Sequence, residues 1–223
     1  VKNALVPVLL SGLFAIILHY SFTYSALKLT DSSKTAILKQ IGVLFYVCSS
    51  SMFFKEDKLT AKKLTGVFLG FVGIIAINAN AGVISFNIGD ALIIAASFCT
   101  VFSNVISKKV FRTVKPITST GISQLFGGVV LLIIGNLLDG RMHFAFNDSA
   151  FIMIYICFAS IFSYCIWFSV VKNGELSKLF IVKFAEPVFA CIFGAILLGE
   201  NIFKVQYILA FLLIATGIYV SNK

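Results

Sequence analysis

Eight stretches of the chain, roughly 5–27, 35–54, 63–81, 89–107, 117–138, 150–171, 179–199 and 202–221, are each close to twenty residues long and almost wholly apolar. A bilayer core about 30 Å thick needs about 20 such residues per helix. A transmembrane strand would instead show about ten residues of apolar–polar alternation. Runs such as Val129-Val130-Leu131-Leu132-Ile133-Ile134 have no alternation, so helices are expected. Composition agrees: 12% of the 223 residues are charged and 59% are hydrophobic, whereas soluble domains carry about 25% charged residues. That excludes a water-soluble enzyme and a secreted disulfide scaffold. The expected fold is all-α, a polytopic helical membrane bundle.

The connectors are short, and no soluble domain or low-complexity tract interrupts the spans. The first span continues into the bundle without the basic n-region and small-residue cleavage site of a signal peptide. Cys48, Cys99, Cys157, Cys165 and Cys191 all fall in spans; their number is odd and no CxxC occurs, so they read as small packing residues. Gly66, Gly70 and Gly73 share one face of the third span, a spacing that admits a closely packed neighbour.

Alternating the spans assigns each loop to one of two sides. One side receives Lys2, Lys55, Lys58, Lys62, Lys63, Lys108, Lys109, Arg112, Lys115, Lys172, Lys178 and Lys223; the other receives Lys28, Lys34, Arg141 and Lys204. Twelve basic residues against four make the first side cytoplasmic, with both ends of the chain facing it. The loops near 82–88 and 139–149 face outward. The net charge of +9 is therefore mainly a topology signal. No nucleic acid is expected as a partner, because no basic cluster comes with an aromatic stacking platform. Lys39 and Lys183 stand apart from this division, since both lie within spans.

Sliding the sequence on itself without gaps gives a match at an offset of 144. Tyr24-Ser25-Ala26-Leu27-Lys28 overlays Phe168-Ser169-Val170-Val171-Lys172, Ser33-Lys34 overlays Ser177-Lys178, and Lys39 overlays Lys183. Tyr20 meets Tyr164, Glu56 meets Glu200, Gly73-Ile74 meets Gly217-Ile218, and Asn78 meets Asn222. Shared hydrophobicity alone would not align charges. Five spans separate the copies, an odd number, so the second copy enters the membrane from the opposite side. This inverted-topology repeat is an architecture of secondary transporters. The spans at 89–107 and 117–138 have no counterparts within the chain, which implies a ten-span fold of which eight are present.

The segment Glu186-Pro187-Val188-Phe189-Ala190, followed by Leu197-Leu198-Gly199-Glu200, resembles the penultimate-helix signature of EamA-type transporters of the drug/metabolite transporter superfamily. The stretch from Gln206 to Gly217-Ile218 also fits. In the first copy Glu56 and the glycine-bearing helix agree, while Gly42-Val43 replaces the usual Glu/Pro-type pair. The resemblance implies a ten-helix bundle around a central cavity. Residues 1–82 would then hold the last three helices of the first EamA-type repeat, and residues 83–223 a complete five-helix repeat.

Charges within a bilayer are costly, about 2.5–3.5 kcal/mol on insertion scales. Lys39 and Lys183 either snorkel to the headgroups or face a central cavity from opposite sides, where they would attract an anionic group. Glu186, three residues after Lys183, either neutralises it or carries a coupling proton. Pro187 frees a carbonyl near Lys183, as a broken helix beside a binding site or a plain kink. His19, Tyr20, Tyr164 and Trp167 either stack on a planar substrate or pack and anchor, and Asn104 and Gln124 add polar atoms, with Ser103 and Ser123 beside them. Glu56 and Glu200 fall at helix ends, where capping or loop pairing is expected.

No HExxH, GxSxG or P-loop is present, so neither an enzyme nor direct ATP coupling is expected. The expected function is secondary transport of a small organic metabolite, anionic or amino-acid-like, by alternating access. The alternatives are a non-transporting sensor or assembly subunit and an intramembrane lipid-modifying enzyme. Expected partners are the solute, the lipid bilayer, a coupling proton or ion, and a second copy as a homodimer. No cofactor and no metal is expected. The expected location is a multi-pass position in a bacterial inner membrane.

Overall fold

The computed structural model describes residues 4–30, 32–77, 86–138, 148–198 and 205–223. Gly199, Glu200 and Asn78 of the sequence reading, and the loop charges Lys2, Arg141 and Lys204, lie outside them. The described residues are helical with no strand: α1 (Leu5–Gly12), a π-helical segment (Leu13–Leu18), α2 (His19–Leu27), α3 (Ser32–Phe53), α4 (Ala61–Ile77), α5 (Ile88–Val110), α6 (Pro116–Leu137), α7 (Asp148–Asn173), α8 (Leu176–Val182), α9 (Ala185–Leu198) and α10 (Val205–Asn222). Among the described residues, five helical stretches are long and apolar enough to cross a bilayer: Leu5–Leu27, Thr35–Phe53, Ile88–Val110, Pro116–Leu137 and Ala150–Asn173. A polytopic α-helical membrane bundle is the result.

Local chemistry sets the helix ends. Thr60 Oγ1 accepts the Lys63 N–H at 3.3 Å and so caps α4. Asn87 and Asp90 form a reciprocal box at the start of α5, Asp90 N–H to Asn87 Oδ1 at 3.0 Å and Asn87 N–H to Asp90 Oδ2 at 2.8 Å. The remaining Asp90 oxygen accepts the Thr30 hydroxyl at 2.7 Å, which ties α5 to the end of α2. Pro116 opens α6 at a position whose N–H has no helical partner, preceded by extended Lys115.

The span expected at 179–199 is broken. Its two parts, α8 and α9, are separated by a turn at Lys183–Phe184. Pro187 cannot donate to the Lys183 carbonyl, and the Glu186 N–H bonds it instead at 3.0 Å. The first span carries the other irregularity, one π turn directly after Gly12. Such insertions are frequent at functional positions.

Two compact units emerge, each drawing on both repeat copies: Val1–Ser21 with Phe102–Asn173, and Phe22–Val101 with Gly174–Lys223. In the first, α1 and the π segment pack on α6. A Cβ on Gly12 would lie 2.7 Å from the Ser123 carbonyl oxygen, and one on Gly127 only 2.5 Å from Ile16 Cβ. Ser11 and Ser107 share a buried hydrogen bond of 2.7 Å. In α7, residues 151–162 are exposed all round and mostly apolar, the signature of a helix solvated by lipid.

In the second unit α4 packs along α10. A Cβ on Gly66 would meet the Gly217 carbonyl at 2.7 Å, and one on Gly73 would meet the Ala210 carbonyl at 3.1 Å. The contact runs backwards along α10 as it advances along α4, so the helices are antiparallel. The offset of 144 converts each contact into the other: Gly66 becomes Ala210 and Gly217 becomes Gly73. The inverted repeat is thus written into the packing. The cysteines differ from expectation. Cys99 is buried, but Cys48 and Cys157 are exposed, because small size alone does not decide which helix face a residue occupies.

Candidate functional site

Three of the expected site residues, Lys39, Lys183 and Glu186, lie in the second unit. Lys39 lies half-buried on the second turn of α3, and Lys183 sits in the turn between α8 and α9. Glu186 Oε1 is 3.9 Å from Lys183 Nζ, the two side chains being 68% and 22% exposed. That is a loose ion pair with an accessible carboxylate. Both charges act electrostatically on Lys39, so two ammonium groups and one carboxylate share a neighbourhood. The Lys183 ammonium also stands 5.7 Å over the Phe180 ring, which stacks on buried Tyr46.

The remaining candidates lie in the first unit. The hydroxyls of Tyr20 and Tyr164 are 3.1 Å apart across the repeat offset of 144. Residues related by a pseudo-two-fold can touch only where they straddle its axis, so this pair marks the axis. His19 packs edge-on to Tyr20 at 5.2 Å, and Tyr164 stacks on Phe168 at 6.0 Å. The indole N–H of Trp167 donates to Asn104 Oδ1 at 2.8 Å, and Asn104 is buried. Gln124 is half-buried on α6, one residue after buried Ser123. Because Trp167 is the chain's one tryptophan, its emission reports this contact. Asn104→Leu removes the acceptor, at a cost of about 1–3 kcal/mol. We expect a shift of the emission maximum to shorter wavelength and a lower unfolding temperature. An unchanged spectrum would show that Asn104 does not set the indole's surroundings.

Sequence reasoning missed a buried and densely bonded polar cluster. It centres on Asp57, in the turn between α3 and α4, which is fully buried. One carboxylate oxygen accepts Lys63 Nζ at 2.7 Å and the Ser177 hydroxyl. The other accepts the Ser177 N–H at 2.9 Å and the Tyr46 hydroxyl at 3.1 Å. Lys63 Nζ also donates to the Lys58 carbonyl at 2.8 Å and approaches Glu175 Oε2 at 3.0 Å. Lys63 is 3% exposed, whereas the sequence reading counts it among solvated loop charges. Burial alone would push the Asp57 carboxyl up, but the Lys63 and Ser177 hydrogen bonds hold it below its ordinary value of 3.8. Glu56, singled out by its match to Glu200, is exposed in the same turn.

Among the described residues no cluster of His, Cys, Asp and Glu could hold a metal ion. The sequence profile of the EamA-like transporter family matches residues 1–79 and 87–223. An uncharacterized transporter of Archaeoglobus fulgidus is 24% identical over 85% of this chain and 67% of its own length. The uncharacterized transporter YoaV of Bacillus subtilis is 26% identical over 99% and 75%. A probable amino-acid metabolite efflux pump of Salmonella typhimurium is 24% identical over 91% and 72%. A solved crystal structure superposes with a TM-score of 0.83 over 100% of this chain and 76% of that one, at 19% identity, which speaks for the fold. With a helical bundle, an inverted repeat and a family profile along nearly its whole length, this chain belongs to the EamA-like transporter family, membrane transporters rather than enzymes.

Proposed function

We propose that the chain carries a small anionic or amino-acid-like metabolite across a bacterial inner membrane by alternating access, with both ends in the cytoplasm. The observation that carries this reading is the Lys183–Glu186 pair inside a predicted span, on the same unit as Lys39, which also lies in a span. Ionisable groups at such depth are costly and mark solute or ion pathways. Two ammonium groups suit a substrate carboxylate, and the accessible Glu186 suits either a substrate ammonium or a coupling proton. The helix is interrupted at Lys183–Phe184 beside these charges, and discontinuous helices commonly form transporter binding sites. The aromatic set of His19, Tyr20, Tyr164 and Trp167, with Asn104 and Gln124, supplies surfaces for a planar solute. In this reading residues 1–82 contribute three helices of the first repeat and 83–223 the whole of the second. The Salmonella relative, a probable amino-acid metabolite efflux pump, agrees with such a solute.

The test is flux in vesicles containing the purified full chain, with the standard amino acids and small carboxylic acids as a panel. Solute movement that follows an imposed gradient supports the reading. Lys183→Gln should lower the apparent affinity for a carboxylate solute about tenfold, the worth of one charge-assisted contact, with unchanged membrane insertion. Undiminished transport in both Lys39→Gln and Lys183→Gln would remove these residues from the site.

A further inference from the structure

The Asp57 cluster joins parts of the two repeat copies that are 120 residues apart, the α3–α4 turn of the first and the start of α8 in the second. The two Asp57 oxygens accept four hydrogen bonds, and Lys63 uses its ammonium on Asp57, Lys58 and Glu175. The loops that meet here, 54–60 and 174–175, lie on the side rich in lysine. In the sequence the repeat offset carries Ser177 onto Ser33, in the first turn of α3, and Asp57 onto Asn201, which lies outside the described residues. In an inverted repeat, a contact between copies on one side has a counterpart on the other. When the copies exchange conformations, one contact is made and its counterpart is released.

We propose that Asp57 and Ser177 form a latch that holds the lysine-rich side closed, and that it must open for the transport site to be reached from that side. This rests on the alternating-access reading above. The latch suits a reversible closure. Its hydrogen-bonding capacity is filled when shut, which makes the closed state well defined. The partner halves are a serine and a carboxylate, buried when shut and of a kind that water can solvate on opening. The counterpart residues lack an equivalent of Lys63, since the offset places Tyr207 there.

Nitroxides at Lys55→Cys and Lys178→Cys, in a cysteine-free background of the full chain in vesicles, read the latch by double electron–electron resonance. The parent should give one short-distance population. Ser177→Ala and Asp57→Asn should each add a longer one, raising the open-to-closed ratio about tenfold for the loss of a charge-assisted hydrogen bond. Ser177→Thr, which keeps the hydroxyl, should restore the parent distribution, a rescue that general loosening of the fold would not show. Distances unchanged in Ser177→Ala, which removes one oxygen and is expected to insert normally, overturn the latch even if Asp57→Asn fails to fold. The solute panel is run on the same vesicles. Flux with unchanged distances defeats the latch alone, whereas opened distances with no flux for any solute defeat the transport reading alone.

Discussion

Lys63→Met should destabilise the folded chain by about 3–5 kcal/mol, the usual cost of removing one partner from a buried ion pair. The substitution keeps the length and apolar stem of the side chain, so packing is nearly conserved. What is lost is the charge opposite Asp57, a carboxylate that is fully buried and retains its bonds to Ser177 and Tyr46. Asp57→Asn/Lys63→Met removes both charges and should recover most of the loss, because a buried pair replaced by neutral groups is often close to neutral in stability. Thermal unfolding in detergent and the yield of monodisperse protein measure this. A Lys63→Met variant no less stable than Lys58→Met, which alters an exposed lysine, would defeat the account. Acid provides a second check. A carboxyl lowered by folding contributes its full stability above its ordinary value and loses it as pH falls through its folded value. The parent should therefore weaken below about pH 4 by an increment that Asp57→Asn does not show.

What could be read in the sequence was whatever repeats or periodicity records. Span length and apolarity announce the helices, and the offset of 144 pairs Lys39 with Lys183 and Tyr20 with Tyr164. It also marked Gly73 and Gly217, whose helices pack antiparallel. Pro187 announced the break beside Lys183, because a missing N–H has only local consequences. The Asp57 cluster was illegible for a physical reason. Self-comparison rewards identity, and identity favoured Glu56 over its neighbour Asp57, whereas burial is decided by which side of the turn meets α8. Lys63 was likewise counted as solvated. Its partner carboxylate lies six residues away, but the hydroxyl and N–H that complete the shell come from Ser177, 120 residues from Asp57. Nothing in local composition encodes that meeting. The π turn at Leu13–Leu18 was missed as well, since its residues fit an α-helical pattern equally well.

Gly66→Leu should abolish recovery of folded protein, while Gly121→Leu, Gly128→Leu and Gly135→Leu should leave it nearly unchanged. All four are helical glycines in membrane spans, so helix propensity and hydrophobicity change alike. They differ in what stands opposite. A Cβ on Gly66 would lie 2.7 Å from the Gly217 carbonyl oxygen and 2.7 Å from Ser221 Cβ, whereas at Gly121, Gly128 and Gly135 nothing lies within 4 Å. Backbone cannot swing aside as a side chain can, so α4 and α10 would have to separate. Overpacking a fitted interface costs about 1–3 kcal/mol even for added methylenes that neighbours can accommodate, and in lipid no hydrophobic drive between helices compensates for lost contact. Gly66→Ala isolates the first carbon of the clash and should fall between the parent and Gly66→Leu in unfolding temperature. Gly217→Ala tests the reciprocal contact, since its Cβ would meet the Gly66 carbonyl at 2.7 Å, and a loss comparable to that of Gly66→Ala is expected because each added carbon faces a backbone carbonyl at the same distance. Equal yields for Gly66→Leu and Gly128→Leu would mean that the α4–α10 contact is not what holds this part of the bundle together.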